Sequence, residues 1–265
     1  MPFASINNVQ LHYQIDGDSK APWLVLSNSL STNLDMWLPQ LPALCERFHV
    51  LRYDTRGHGQ SSVPAGPYTI AQLGSDVIGL MDHVGIDRAH FCGLSMGGMT
   101  GMWLASHHAK RIDRLALCNT AALIAPAELW NTRIDKVNQE GMQAIVPSVL
   151  DRWFTLEFLA TAPRQVALVG AMLQSTPAAG YTACCAAIRD MDQRDALPTI
   201  EARTLVIAGA RDRSTPPADG RFIAKQIRGA QYVELRAAHL SNWEVAEQFS
   251  SHLQAFLADA SAARG

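Results

Sequence analysis

The chain has 265 residues, 48% of them hydrophobic and 17% charged, with a formal net charge of -2. That is enough apolar material for one large α/β domain and excludes a disordered chain. It also excludes a protein built to neutralise nucleic-acid phosphates, since there is no basic excess.

No apolar run reaches the roughly 18 residues of a membrane span. Residues 1–14 alternate polar and apolar, unlike the basic start and apolar centre of a signal peptide. The cysteines, Cys45, Cys92, Cys118, Cys184 and Cys185, form an odd set with no metal or redox spacing. Reduced thiols in the cytoplasm are the expectation.

The chain opens with a predicted hairpin from Phe3 to Tyr13, turning at Asn7-Asn8, two residues that tolerate positive φ. Short apolar runs follow at Trp23 to Ser27 and Val50 to Tyr53. Thr69 to Val84 reads as a helix, with Ile70, Leu73, Val77, Leu80, Met81 and Val84 at steps of three and four. Further apolar runs lie at Ala89 to Cys92, Leu115 to Cys118, Thr204 to Ala208 and Tyr232 to Leu235, mostly separated by helical segments. This alternation predicts a mostly parallel sheet with helices on both faces. The rhythm breaks over residues 120–198, which are helical in period throughout and too long for one crossover. The predicted organisation is therefore an α/β core of residues 1–119 and 199–265, with a helical cap of residues 120–198. Asp259 to Gly265 reads as a frayed tail.

Gly93-Leu94-Ser95-Met96-Gly97 carries the chemistry. It is a G-x-S-x-G motif between an apolar run and the helical segment Met96 to Ala109, the pattern of a nucleophile elbow. Such a turn forces the serine into strained backbone and presents its hydroxyl at a helix N-terminus, where developing negative charge is favoured. His239 follows the last apolar run and is the candidate base, because imidazole takes and returns a proton near neutral pH. Asp212 follows the run Thr204 to Ala208 and is the candidate acid orienting it. The order Ser95, Asp212, His239 is the one an elbow serine requires. Asp219 is a weaker rival at the start of a helix.

An oxyanion needs two backbone donors, predicted here as the N–H groups of Leu30, after the strand ending at Ser27, and of Met96. The run Asp54-Thr55-Arg56-Gly57-His58-Gly59 is assigned to architecture: the glycines shape a tight loop that Asp54 and Arg56 brace. No metal-ligand spacing, phosphate loop or dinucleotide fingerprint occurs, so no cofactor or metal is expected, and His107-His108 reads as a helix end.

In these residues the whole chain resembles the α/β-hydrolase family. Within it the resemblance is strongest to the lactonase branch, through Leu26 to Leu30, Asn33 to Trp37, Tyr53 to Gly59, Phe91 to Gly98 and Arg152 to Thr155. Asn28-Ser29 stands where many relatives carry His-Gly, which fits the lactonases better than generic esterases. The resemblance implies a serine hydrolase that opens a small enol-lactone bearing a free carboxylate, in aromatic catabolism, through an acyl-enzyme. A carboxylate in a partly dry pocket calls for a guanidinium. Arg133 and Arg152 are the candidates, with Arg133 favoured because it lies one turn from Trp130. Trp130 and Trp153 would wall the pocket. The same scaffold also admits a carboxylesterase, a carbon–carbon bond hydrolase or a cofactor-free haloperoxidase. A ligand receptor with a hydrolase fold is the alternative outside catalysis. The lactone is the one expected partner, with no nucleic acid or membrane; a homo-oligomer is left open.

Overall fold

The computed structural model describes residues 2–258. Eight strands form one sheet: β1 (Phe3–Ile6), β2 (Val9–Asp16), β3 (Trp23–Ser27), β4 (His49–Tyr53), β5 (Ala89–Leu94), β6 (Ile112–Cys118), β7 (Arg203–Gly209) and β8 (Gln231–Leu235). Their order is β1-β2-β4-β3-β5-β6-β7-β8. β1 and β2 are antiparallel, joined through Asn7 and Asn8 at φ 48 and 62, and β2 runs antiparallel to β4. The remaining strands are parallel.

The helices are α1 (Leu41–Leu44), α2 (Ile70–Val84), α3 (Met96–His107), α4 (Ala127–Glu140), α5 (Val146–Trp153), α6 (Leu156–Thr161), α7 (Pro163–Ser175), α8 (Ala178–Arg189), α9 (Pro217–Gln226), α10 (Ser241–Glu244) and α11 (Ala246–Ala258). α2 starts where a capping box closes: Gln72 N donates to Thr69 Oγ1 at 3.1 Å and Thr69 N to Gln72 Oε1 at 3.0 Å. Leu73, Val77, Leu80 and Met81 fall on its buried face. α11 lies beyond the regions where the sequence predicts elements. The predicted tail, Asp259 to Gly265, lies outside the described residues.

The strand order explains where a site must form. The chain steps outward from β3 to β4, then returns across β3 to β5. Strand order reverses between β3 and β5, and ligands bind at the carboxyl ends of strands at such a switch point. The loop carrying Leu30 follows β3 and the Ser95 turn follows β5, so the topology alone makes them neighbours.

Between β6 and β7 the described chain contains helices α4 to α8 and short 3-10 turns, with no strand. This helical layer meets the core at a seam with no side chain between. Gly57 has φ 77, and a Cβ on Gly180 of α8 would collide with the Gly57 carbonyl.

Arg56 does not brace its own loop, as the sequence suggests. It reaches across to α2, where Nε and Nη2 each donate to a carboxylate oxygen of Asp76 at 2.6 Å, both side chains being buried. Asp54 does brace: it accepts from Leu34 N and Gln60 N at 2.8 Å each and faces His12 Nδ1 at 2.7 Å.

Candidate active site

Ser95 has φ 58 and ψ -116, a conformation other residues rarely adopt. The turn is fastened on both sides. Ser95 N donates to Cys118 O at 2.9 Å, and Thr120 Oγ1 donates to Ser95 O at 2.7 Å. The glycines of the motif are there for space. A Cβ on Gly93 would strike the Gly97 carbonyl, and one on Gly97 would strike the Ser27 carbonyl at the end of β3. That second contact presses the Leu30 loop against the start of α3. Neither the Leu30 N–H nor the Met96 N–H has a partner among the described residues, so both remain available to an incoming oxygen.

Asp212 and His239 come together as the sequence predicts. His239 Nδ1 lies 2.8 Å from Asp212 Oδ2, and the two side chains are buried. Asp212 Oδ1 accepts from Ser214 N at 2.7 Å and Thr215 N at 3.0 Å, and Oδ2 also accepts from Thr215 Oγ1 at 2.9 Å and Asn119 Nδ2 at 3.0 Å. Burial alone would raise the Asp212 pKa. The neighbouring His239 and the hydrogen bonds from His239, Thr215 and Asn119 outweigh burial, and the carboxyl is held below its usual range. The group stays an acceptor, which makes His239 Nδ1 the donor and leaves Nε2 to act as base. Asp219, the rival acid, has no hydrogen bond to His239; its pKa is raised by burial and by Asp212.

Ser95 and His239 line one cavity of about 320 Å³ with Ser29, Leu30, Trp130, Arg133, Arg152 and Trp153. The Ser95 hydroxyl makes no hydrogen bond to the ring in this structure; nucleophile–base bonds are often loose until substrate binds. Trp153 covers His239, ring centroids 5.8 Å apart, and its carbonyl accepts from Leu240 N at 3.1 Å. Glu244 ties the same loop to the helical layer, accepting from Ala238 N at 2.9 Å and from the Thr155 hydroxyl.

Three arginines, Arg133, Arg152 and Arg213, also line the cavity. The Arg133 guanidinium sits 5.0 Å from the Trp130 ring centroid. Arg213 pairs with Asp151 at 2.7 Å. Arg152 is half-buried and has no hydrogen bond or ion pair among the described residues. Burial, then the charges of Arg133 and Arg213, push its pKa down, a field that an anionic ligand would relieve. Among the described residues no group of three or more His, Cys, Asp or Glu is arranged to hold a metal ion, and no helix is long and apolar enough to cross a membrane.

Asn119 escaped the sequence reading. It is buried just beyond β6 with φ 43, beside the acid and the base loop. Only the strand order reveals it: β6 lies between β5, which carries the serine, and β7, which carries the acid.

A strained serine on a strand–helix turn, beside an aspartate-bound histidine at the carboxyl edge of a mostly parallel sheet, defines a hydrolase scaffold. Residues 22–246 match the family model of the alpha/beta hydrolase fold, and the chain belongs to the α/β-hydrolase family. Within that family it is similar to two curated proteins of Acinetobacter baylyi. It is 42% identical to 3-oxoadipate enol-lactonase 2, over 94% of each chain. It is 40% identical to 3-oxoadipate enol-lactonase 1, over 93% of this chain and 92% of the relative. Among solved structures it is similar to the enol-lactonase of Burkholderia xenovorans LB400, with 51% identity and a TM-score of 0.96, covering 97% of this chain and 100% of that one.

Proposed function

We propose that this chain hydrolyses 3-oxoadipate enol-lactone to 3-oxoadipate. The observation that carries the reading is a single cavity lined by the nucleophile, the base and the guanidinium groups of Arg133 and Arg152. A small lactone with one free carboxylate has the matching polarity. The likeness to named enol-lactonases over nearly the whole chain supports the same substrate.

Ser95 attacks the ring carbonyl while His239 Nε2 accepts the hydroxyl proton. Asp212 stabilises the imidazolium through Nδ1–H and does not itself take the proton. The tetrahedral oxyanion is received by the N–H groups of Leu30 and Met96; one such donor is worth roughly 10²–10³ in rate. Collapse breaks the bond from the acyl carbon to the ring oxygen, which takes the proton back from the His239 imidazolium and leaves as an enol that tautomerises to the ketone of the product. Water, deprotonated by His239, then releases the acyl group from Ser95. Arg133 and Arg152 hold the carboxylate, and Trp130 and Trp153 exclude water around it.

The test is a substrate panel: the enol-lactone, neutral lactones and p-nitrophenyl esters, with Ser95→Ala as the control. The expected result is a kcat/KM for the enol-lactone well above that of every neutral compound, lost in the control. A preference for neutral esters overturns the substrate assignment.

A further inference from the structure

The tripeptide Cys118-Asn119-Thr120 touches the serine turn, the acid and the loop of the base. Cys118 O and Thr120 Oγ1 fasten the backbone of Ser95. Between them, Asn119 Nδ2 donates both to Asp212 Oδ2 at 3.0 Å and to Ala238 O, next to His239, at 3.1 Å. Its other side-chain atom is held in turn, because Ser241 Oγ donates to Asn119 Oδ1 at 2.6 Å. Its backbone N–H donates to Ile207 O of β7 at 2.8 Å. One residue thus links the strand before the acid, the acid itself and the loop of the base.

We infer that Asn119 is the positioning residue that sets Asp212 and His239 in register with Ser95. The amide accomplishes two things at once. It spans Asp212 and the His239 loop with one NH₂ group, so neither can shift alone. It also shares Oδ2 with His239 Nδ1, so it withdraws electron density from the oxygen that stabilises the imidazolium. Asp212 Oδ2 and Ala238 O can only accept, which fixes the NH₂ end of the amide and leaves Asn119 Oδ1 to accept from Ser241. Positive φ suits asparagine, and glycine can replace it there without backbone strain. The inference rests on the serine-hydrolase reading but not on the identity of the lactone.

The experiment therefore uses p-nitrophenyl acetate, whose acylation of Ser95 needs the same three side chains. Asn119→Gly and Ser241→Ala are measured for kcat, KM and the acid limb of kcat/KM, with thermal unfolding alongside. Asn119→Gly is expected to lower kcat about ten- to a hundredfold with KM little changed, the penalty for loosening a catalytic group. Its acid limb should move up by about half a pH unit, since an Asp212 with one donor fewer holds the imidazolium more strongly. Ser241→Ala should reproduce both effects in weaker form. Wild-type kcat and acid limb in Asn119→Gly would overturn the inference. So would a loss of kcat that follows thermal stability while the acid limb stays put, because that is the mark of a purely structural residue. Failure of the wild-type protein on the enol-lactone would sink the substrate assignment and leave this test intact.

Discussion

His58 Nε2 accepts a hydrogen bond from the backbone N–H of Ser31 at 2.9 Å, so a buried imidazole holds the loop that presents Leu30. Its other nitrogen faces Arg56 O at 3.2 Å, which fits a neutral ring protonated on Nδ1. Burial pushes the His58 pKa down to about 4, against smaller upward pulls from Arg56 O and Asp54. Between pH 6.5 and about 4 the unfolded chain binds a proton that the folded chain refuses. The stabilisation from neutral His58 is therefore complete above pH 6.5 and is lost as the pH falls through that window, about 3 kcal/mol in all at 1.36 kcal/mol per unit. Urea unfolding at pH 7.5 and at pH 4.5 measures it. His58→Gln should flatten the dependence, and an equally steep slope in that variant would refute the assignment.

The arginines lining the cavity give a prediction about selectivity. Arg152→Ala should raise KM for the anionic lactone about ten- to a hundredfold, the value of a charged hydrogen bond. Arg133→Ala should act in the same direction. Turnover of p-nitrophenyl acetate should stay within about twofold in both, since a neutral ester has nothing for a guanidinium to bind. Equal losses on the two substrates would mean that the arginines shape the cavity and do not recognise charge.

The candidate serine and histidine are legible for a reason of geometry. An elbow compresses its requirements into five consecutive residues, and the acid and base follow strands whose apolar runs stand out. The helical excursion was legible only as helices. Which of its arginines faces inward depends on how α4 and α5 are placed over the sheet, and no local pattern encodes that. Arg133, favoured for its spacing from Trp130, sits beside that ring, and Arg152 lines the same cavity. Asn119 was invisible because an asparagine after a strand is common, and its partners lie 93 and 119 residues away.

The Arg56–Asp76 pair is a buried two-point ion pair between a loop and α2. Removing one partner leaves an uncompensated buried charge, so Asp76→Ala should cost about 3–5 kcal/mol of stability. Guanidinium unfolding at neutral pH reads the change; a loss below about 1 kcal/mol would mean that the arginine finds water or a new partner.

The contact between Gly97 and the end of β3 ties turn geometry to rate. Gly97→Ala must push the Ser27 carbonyl away, and Leu30 moves with it. The expected result is a fall in kcat of at least about tenfold, through misplacement of one oxyanion donor. A crystal structure of the variant together with its kcat checks both halves of the claim.

The backbone-to-backbone seam between Gly57 and Gly180 carries a lesson for chimera building. The two residues come from segments far apart in the chain, yet neither tolerates a methyl group where they meet. Anyone transplanting this helical layer onto a sister scaffold must carry both glycines as a matched pair, because swapping one module alone would wedge the graft open from its first point of attachment.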